Sequence, residues 1–582
     1  MKRTIKYKLI TASMLLSLLF VFACKEDFLN VAPTGQLADE QLKSKAGIEG
    51  LLIGAYSKLR GQGGFYDGPS NWVPGSILGG EANKGTDAGD QSVVNPLQRY
   101  EALTTSGGPI TEKWRANYEG ISRANTVIRI LGEAGPDVTD ADKKRIAAEA
   151  RFLRGHYYFD LKKLYNNIPY VDETVGYGTG VEKVANNVDV WPKILDDFKF
   201  AMDNLPETQD AVGRPNKWAA AAYLAKSYLY QKKYAEAKTL FDQVIANGQT
   251  SNGKKYALLP KFHDNFDPAL DNNSESVFAV QYAAGTGTFL NANPEMVLNF
   301  TYNGGPAGCC GFFPPSFELA NSFRTSANGL PLLDGSYNNP ANALKTDQGL
   351  LSKDPFTPDA GNLDPRVDHA IGRRGLPYLD WQDHPGRDWI RDQIYSGPYS
   401  TKKYVFTKAQ EDAFTDGSSW TRGYTAINYH IIRFADVLLM AAEAEVEAGS
   451  LEKAREYVNL VRARAANPDS WVKKLDGSGA NAANYVIGLY NTPWTDKAAA
   501  NTAIRFERKL ELSGEGHRFF DLVRWGIAAD FLNNTYLPLD GGILKVALGG
   551  ARFTPNQDEY LPIPQGQIDL QGADVLKQNP GY

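Results

Sequence analysis

Apolar residues recur at helical spacing in separated stretches of this chain. The clearest runs from Asn216 to Gly248: Ala221, Leu224, Ala225, Tyr228 and Leu229 fall at i, i+3, i+4, i+7 and i+8. After a break at Lys232-Lys233 the pattern repeats through Ala237, Leu240, Phe241, Val244 and Ile245, with Asn247-Gly248 as the stop signal. A helix pair of about 34 residues with small residues at the crossing has the size of a tetratricopeptide unit. A second pair is predicted over 433–465, from Leu438, Ala441, Ala442 and Val446, across Gly449-Ser450, to Ala454, Tyr457, Val458 and Val461. A third is predicted over 111–164, where Trp114, Tyr118, Ile121, Asn125 and Ile128 precede Ala150, Leu153, Tyr157, Tyr158 and Leu161. Gln41 to Leu59 is predicted as the first helix. No such pair can bury its apolar face alone, so the pairs should stack into a scaffold. The expected class is mostly α, tetratricopeptide-like helix pairs carrying a long loop-rich region with few short strands.

Elsewhere the helical period fades. Residues 61–90 are rich in Gly, Asn, Asp and Pro and read as a long loop. Residues 251–430 are dominated by Gly, Pro, Asn and aromatics, with β-prone runs such as Ser276 to Tyr282. A region that long without regular structure carries function or wraps a scaffold. The expected organisation is a leader at 1–23, a tether at 24–40, a helical part at 41–250 and a C-terminal part at 251–582. The last divides into loop-rich 251–430, helical 431–530 and an extended tail 531–582, and 24–582 is expected to be one compact unit.

The N-terminus changes the picture. Lys2, Arg3, Lys6 and Lys8 precede fifteen uncharged residues, Leu9 to Ala23, too few to span a bilayer. With Val21 and Ala23 before Cys24, this resembles the lipobox of bacterial lipoproteins, in which the Cys24 thiol is acylated and becomes the first mature residue. Lys25-Glu26-Asp27 resembles the surface-export signal of Bacteroidetes lipoproteins. All four leader charges are basic, so cleavage deepens the formal charge of −5. Excess acid disfavours nucleic acid as a partner. The other two of the 3 cysteines, Cys309 and Cys310, are adjacent, so no disulfide framework exists.

Catalytic signatures are absent. His156, His263, His369, His384, His430 and His517 are scattered, without His-Glu-x-x-His or a closely spaced metal-ligand pair. There is no Gly-x-Ser-x-Gly elbow and no phosphate-cradling glycine loop. No catalytic residue, cofactor or metal is expected. The acids Asp87 and Asp90, and the run Asp267 to Glu275, are the candidates for a structural calcium, although neither has the spacing of a calcium loop.

Four blocks, in order, resemble the SusD/RagB family of outer-membrane lipoproteins. The first is Glu149-Ala150-Arg151-Phe152-Leu153-Arg154, through Tyr157-Tyr158-Phe159 to Leu164-Tyr165-Asn166-Asn167-Ile168-Pro169. The second is Arg433-Phe434-Ala435-Asp436-Val437-Leu438-Leu439-Met440, with Ala442-Glu443-Ala444 and Val461-Arg462-Ala463-Arg464. The third joins Ile504, Glu507-Arg508, Glu511-Leu512, Glu515-Gly516, Arg518, Asp521-Leu522 and Arg524-Trp525-Gly526. The fourth is Leu561-Pro562-Ile563-Pro564 with Asn579-Pro580-Gly581-Tyr582. The resemblance implies a non-enzymatic surface protein on the outer membrane. It would capture an oligosaccharide and pass it to a TonB-dependent transporter of the SusC type. The alternatives are a peptide receptor of the RagB type and, more remotely, a surface glycoside hydrolase. The charged residues of the blocks read as structural ion pairs, because helix-face spacing such as Glu507 with Glu511 suits pairing better than a carboxylate dyad.

Sugar rings stack on exposed aromatics while amides, acids and Arg bond their hydroxyls. The loop Phe65-Tyr66-Asp67-Gly68-Pro69-Ser70-Asn71-Trp72 supplies the first candidates: Trp72 as a stacking platform, with Phe65, Tyr66 and Asn71. The second set is Tyr302, Cys309, Cys310, Phe312 and Phe313. There the adjacent cysteines are either a vicinal disulfide serving as an apolar plate or two thiols. Trp381, Trp389, Trp420 and Tyr424 form a third tier.

Overall fold

The computed structural model describes residues 39–582, position 106 excepted. Cys24, the leader and residues 24–38 of the tether lie outside the described residues. Among the described residues no helix is long and apolar enough to cross a membrane.

The first predicted helix is interrupted. Asp39–Lys43 is followed by α1 (Lys45–Tyr56), because the Ser44 side chain accepts from Gly47 N–H and starts a new helix there. The next helices are α2 (Pro109–Leu131), α3 (Asp140–Tyr165), α4 (Trp191–Asn204), α5 (Lys217–Tyr230) and α6 (Tyr234–Asn247). Asn216 caps α5 by accepting from Ala219 N–H, and Gly248 ends α6. The second pair is α7 (Phe434–Ala448) and α8 (Leu451–Ala465), the latter capped by Ser450. It is followed by α9 (Lys497–Glu511), which packs on both.

Successive helices pack in order from α1 to α6, and α6 continues onto α7. The helix α4, which no predicted pair contained, fills the gap between α3 and α5: Phe198 stacks on Tyr223 at 4.6 Å and meets Phe152 edge-on at 5.7 Å. The α2–α3 crossing is close because Gly120 faces Tyr157, where a Cβ would lie 2.5 Å from the ring. Buried apolar residues from Ile48 to Leu576 form one contiguous core.

The loop-rich region joins the scaffold through two strands. β1 (Ser276–Val280) runs antiparallel to β2 (Tyr429–Arg433), with bulges in the register, and β2 leads directly into α7. The tail is not extended throughout. Short helical pieces occupy Ala528–Phe531, Leu537–Ile543, Lys545–Leu548 and Gln565–Gln571, each too short to show an amphipathic period. Leu561 N–H donates to Leu164 C=O (2.8 Å), and the Asn579 amide donates to the carbonyls of Tyr165 (2.8 Å) and Leu561 (2.9 Å). The first and last sequence blocks are therefore one contact.

The second and third blocks meet as a buried ionic cluster. Arg433 reaches Glu515 (2.7 Å), Glu275 (3.0 Å) and Glu511 (2.5 Å). Arg366 reaches Asp364, Glu507 and Glu511; Arg462 reaches Glu507, Arg464 reaches Glu275 and Glu511, and Lys403 reaches Glu515. Those five carboxylates face five cations, so the cluster is neutral overall. Burial pushes Glu515 up, but Arg433 and Lys403 overcome it and hold the carboxyl down to about 2. Asp436 is similarly gripped by Lys226 and Arg508, and Glu443 by Arg524. These charges hold α7, α8 and α9 to the loop region.

Candidate ligand-binding face

The first candidate loop is tied down from within. Asn71 sits at φ 49°, turning the chain so that Trp72 opens a short π-helix, Trp72–Ile77. Ser70 donates through its N–H (2.9 Å) and hydroxyl (2.8 Å) to Glu295, a carboxyl that burial raises to about 7. The Trp72 indole N–H donates to Phe65 C=O (2.7 Å), and its ring meets Phe312 and Phe313 edge-on at 6.3 and 6.0 Å and leans on Tyr66 at 5.7 Å. Only 1% of Trp72 is exposed.

Trp72 is therefore not a stacking platform. An indole enclosed by three rings offers no face to a sugar. Tyr66, Asn71, Phe312 and Phe313 are likewise buried. Tyr66 bonds Gln91, and Asn71 donates to the Asp160 carboxylate (3.3 Å). These residues form a floor.

The floor is what joins the two predicted loops. Asn83 N–H donates to Pro314 C=O (3.1 Å), Phe313 N–H to Lys84 C=O (3.1 Å) and Thr86 N–H to Gly311 C=O (2.7 Å). Cys309 and Cys310 form a vicinal disulfide across a cis peptide, with Cys310 buried and Cys309 half-buried. Tyr302 N–H donates to Trp389 C=O (3.0 Å), and Gly304 lies flat on the Trp389 indole, where a Cβ would be 2.5 Å from Nε1. Trp389 is thus buried support.

Above this floor a set of groups reaches solvent. Tyr302 and Phe65 are half-buried, and Trp420 is 58% exposed. Trp420 is placed beside the disulfide loop by Thr421, whose hydroxyl donates to Ala307 C=O (3.3 Å), and it meets the buried Tyr424 edge-on at 6.5 Å. Phe289, which sequence reasoning missed, packs on Tyr424 at 4.9 Å. Arg391, also missed, lies 5.5 Å over the Tyr302 ring and binds Asp87 (2.9 Å) and Asp90 (2.6 Å). No local motif marks Arg391, since its partners are about 300 residues away in the chain. Trp381 stands apart, half-buried, with its indole N–H donating to Phe406 C=O (3.2 Å).

The acids weighed for calcium are engaged by protein groups. Asp87 and Asp90 bind Arg391, Asp267 accepts from Ala269 N–H (2.9 Å), and Glu275 binds Arg433 and Arg464. Among the described residues no three His, Cys, Asp or Glu side chains are grouped to hold a metal. A cleft of about 890 Å³ lies between α2, residues 169–182 and the Gln565–Gln571 helix. It contains none of the predicted site residues. Its aromatic Trp114 is packed between Tyr118 (4.8 Å) and Tyr165 (5.1 Å), so it is no sugar platform.

A family model described as the SusD family matches residues 274–582, more than half of the chain. The chain belongs to the SusD family. A second model, described as starch-binding and associating with the outer membrane, matches residues 27–229. SusD-like protein P2 of Formosa agariphila is 25% identical, with 99% of this chain and 100% of that protein covered. Starch-binding protein SusD of Bacteroides thetaiotaomicron is 24% identical over 76% of this chain and 74% of its own length. Among solved structures, surface glycan-binding protein A of Bacteroides thetaiotaomicron in complex with laminarihexaose superposes with a TM-score of 0.61 at 22% identity. That alignment covers 92% of this chain and 99% of the other. The last two are named as binding proteins, and this chain shares its mostly α scaffold with the solved structure.

Proposed function

We propose that this SusD-family chain binds an oligosaccharide on the face carrying Trp420, Tyr302, Cys309 and Phe65, without chemically altering it. The carrying observation is an exposed indole tethered through Thr421 to the loop that carries the half-buried Tyr302 and the disulfide. Such a surface offers apolar planes for sugar C–H faces at little ordering cost. The starch named for one relative and the laminarihexaose held by another make neutral glucans the first ligands to test.

In this reading Cys24 carries the lipid that anchors the protein to the outer membrane, facing outward. The captured sugar passes to a TonB-dependent transporter of the SusC type. Calorimetry with laminarin, starch and peptide panels tests the reading. Binding of at least one glycan, weakened by Trp420→Ala, is the expected result. Binding of peptides alone would transfer the site to a peptide receptor, and turnover of any panel member would make the protein a hydrolase.

A further inference from the structure

The charged groups on this face are arranged in an unusual way for a surface patch. Arg391 Nε meets Asp87 Oδ2 at 2.9 Å, and its Nη1 meets Asp90 Oδ2 at 2.6 Å and the Thr86 hydroxyl at 3.1 Å. Each of the three charged side chains remains about one-third exposed (34%, 32% and 31%), so the cluster reaches solvent beside the Tyr302 ring. The Asp87 carboxylate is fixed from behind by the N–H groups of Gly89 (2.9 Å) and Asp90 (2.8 Å). Underneath, the buried Lys84 ammonium donates to the main-chain carbonyls of Asp87 and Asp90.

Two carboxylates, one guanidinium and one ammonium leave no net charge. Among the described residues, the cluster keeps both an acceptor and a donor unused. Nothing donates to Asp90 Oδ1, and Arg391 Nη2 has no acceptor. A free acceptor and a free donor on one ion pair match adjacent hydroxyls of a sugar ring, one donating and its neighbour accepting.

Resting on the glycan-binding reading above, we infer that Asp87, Asp90 and Arg391 form a subsite that reads adjacent hydroxyls of an uncharged sugar and rejects sulfated or uronate glycans. The ring of that sugar lies against Tyr302. An anionic substituent brought here meets two carboxylates, and the Arg391 guanidinium beside them already shares two of its three nitrogens with both. Like charges so juxtaposed are repelled, whereas a hydroxyl meets oriented partners at no ionic cost. Because the cluster is neutral, binding of the sugar is insensitive to salt.

The test is calorimetry of the mature chain with laminarin and starch oligosaccharides, and with alginate and sulfated agar oligosaccharides. Neutral ligands are expected to bind with affinity changing less than about two-fold between roughly 50 and 500 mM salt, because no net charge is screened. The anionic ligands are expected to bind at least about ten-fold more weakly. Asp90→Asn should weaken the neutral ligand, and the double variant D87N/D90N, which frees Arg391, should admit the anionic ones. Circular dichroism of each variant establishes that it is folded. The inference is overturned if native protein binds an anionic glycan as tightly as a neutral one, if affinity collapses with salt, or if folded D87N/D90N gains nothing. If no glycan of either class binds the native chain, the glycan reading itself fails and takes this one with it.

Discussion

Replacing Trp72 by alanine separates the floor from the face. Truncating a fully enclosed indole removes burial and leaves a cavity, which costs about 3–5 kcal/mol. The indole bond to Phe65 C=O adds about 1 kcal/mol, so a total near 4–6 kcal/mol follows. With an unfolding entropy of ~2.1 cal/mol/K per residue, a chain of 582 residues has about 1.2 kcal/mol/K in all. Trp72→Ala should therefore lower Tm by about 3–5 °C, and Trp72→Phe by less. Ligand affinity should fall only as far as the Phe312–Phe313 loop loosens. Trp420→Ala is the mirror image. Its ring is mostly in solvent, so Tm should stay within about 1 °C, while losing a stacked ring should weaken glycan binding about ten-fold. Scanning calorimetry gives the first quantity and titration calorimetry the second. If Trp72→Ala abolishes binding at unchanged Tm, Trp72 is a ligand contact and the division into floor and face is wrong. A Trp420→Ala protein that loses stability but keeps its affinity would be equally damaging.

Three further outcomes are expected. Native, unreduced protein should give a 309–310 peptide that resists alkylation and is lighter by two hydrogens than after reduction; alkylated thiols in the untreated sample would remove the disulfide from the face. Arg433→Met should cost about 3–5 kcal/mol in denaturant unfolding, because it removes the cation that buried Glu275, Glu511 and Glu515 share and leaves the cluster one positive charge short, whereas Lys199→Met at an exposed Asp203 pair should cost less than about 0.5 kcal/mol. Stability should fall progressively as pH drops from about 6.5 to about 3. Burial lowers His156, His263 and His430 to about 4 and His369, His384 and His517 to about 3, so what they contribute above the unfolded value of 6.5 is lost as pH drops through that range. Glu515, lowered from 4.5 to about 2 by Arg433 and Lys403 against burial, loses its contribution over the lower part of the same range. A Tm at pH 3.5 equal to that at pH 6.5 would contradict both assignments.

The helix pairs were legible in the sequence because periodicity is a local property. Ala221 to Leu229, and Leu438 to Val446, reveal their buried faces without any partner being known. The ordered family blocks likewise marked Arg433, Arg462, Arg464, Glu507, Glu511 and Glu515 of the core network, although not Glu275, Asp364, Arg366 or Lys403, nor which charge meets which. Arg433 and Glu511 are 78 residues apart, and only the fold brings them to 2.5 Å. The helix α4 was legible but unread, with Pro192 at its start and Ile194, Phe198 and Ala201 at helical spacing, whereas the short helices of the tail have too few turns to show a period.

The candidate loops were found by composition, but composition does not say which ring faces water. Trp72 and Trp420 are chemically identical side chains in stretches the sequence marks as loops. The tertiary structure makes one the floor by closing Tyr66, Phe312 and Phe313 around it, and leaves the other on the face. Arg391 gains its meaning in the same way, from Asp87 and Asp90 across about 300 residues of chain. What the sequence alone determined was the scaffold and the chemistry available to it. Which groups meet solvent and which pair off was decided by packing, because burial and ion pairing depend on distances between segments far apart in the chain.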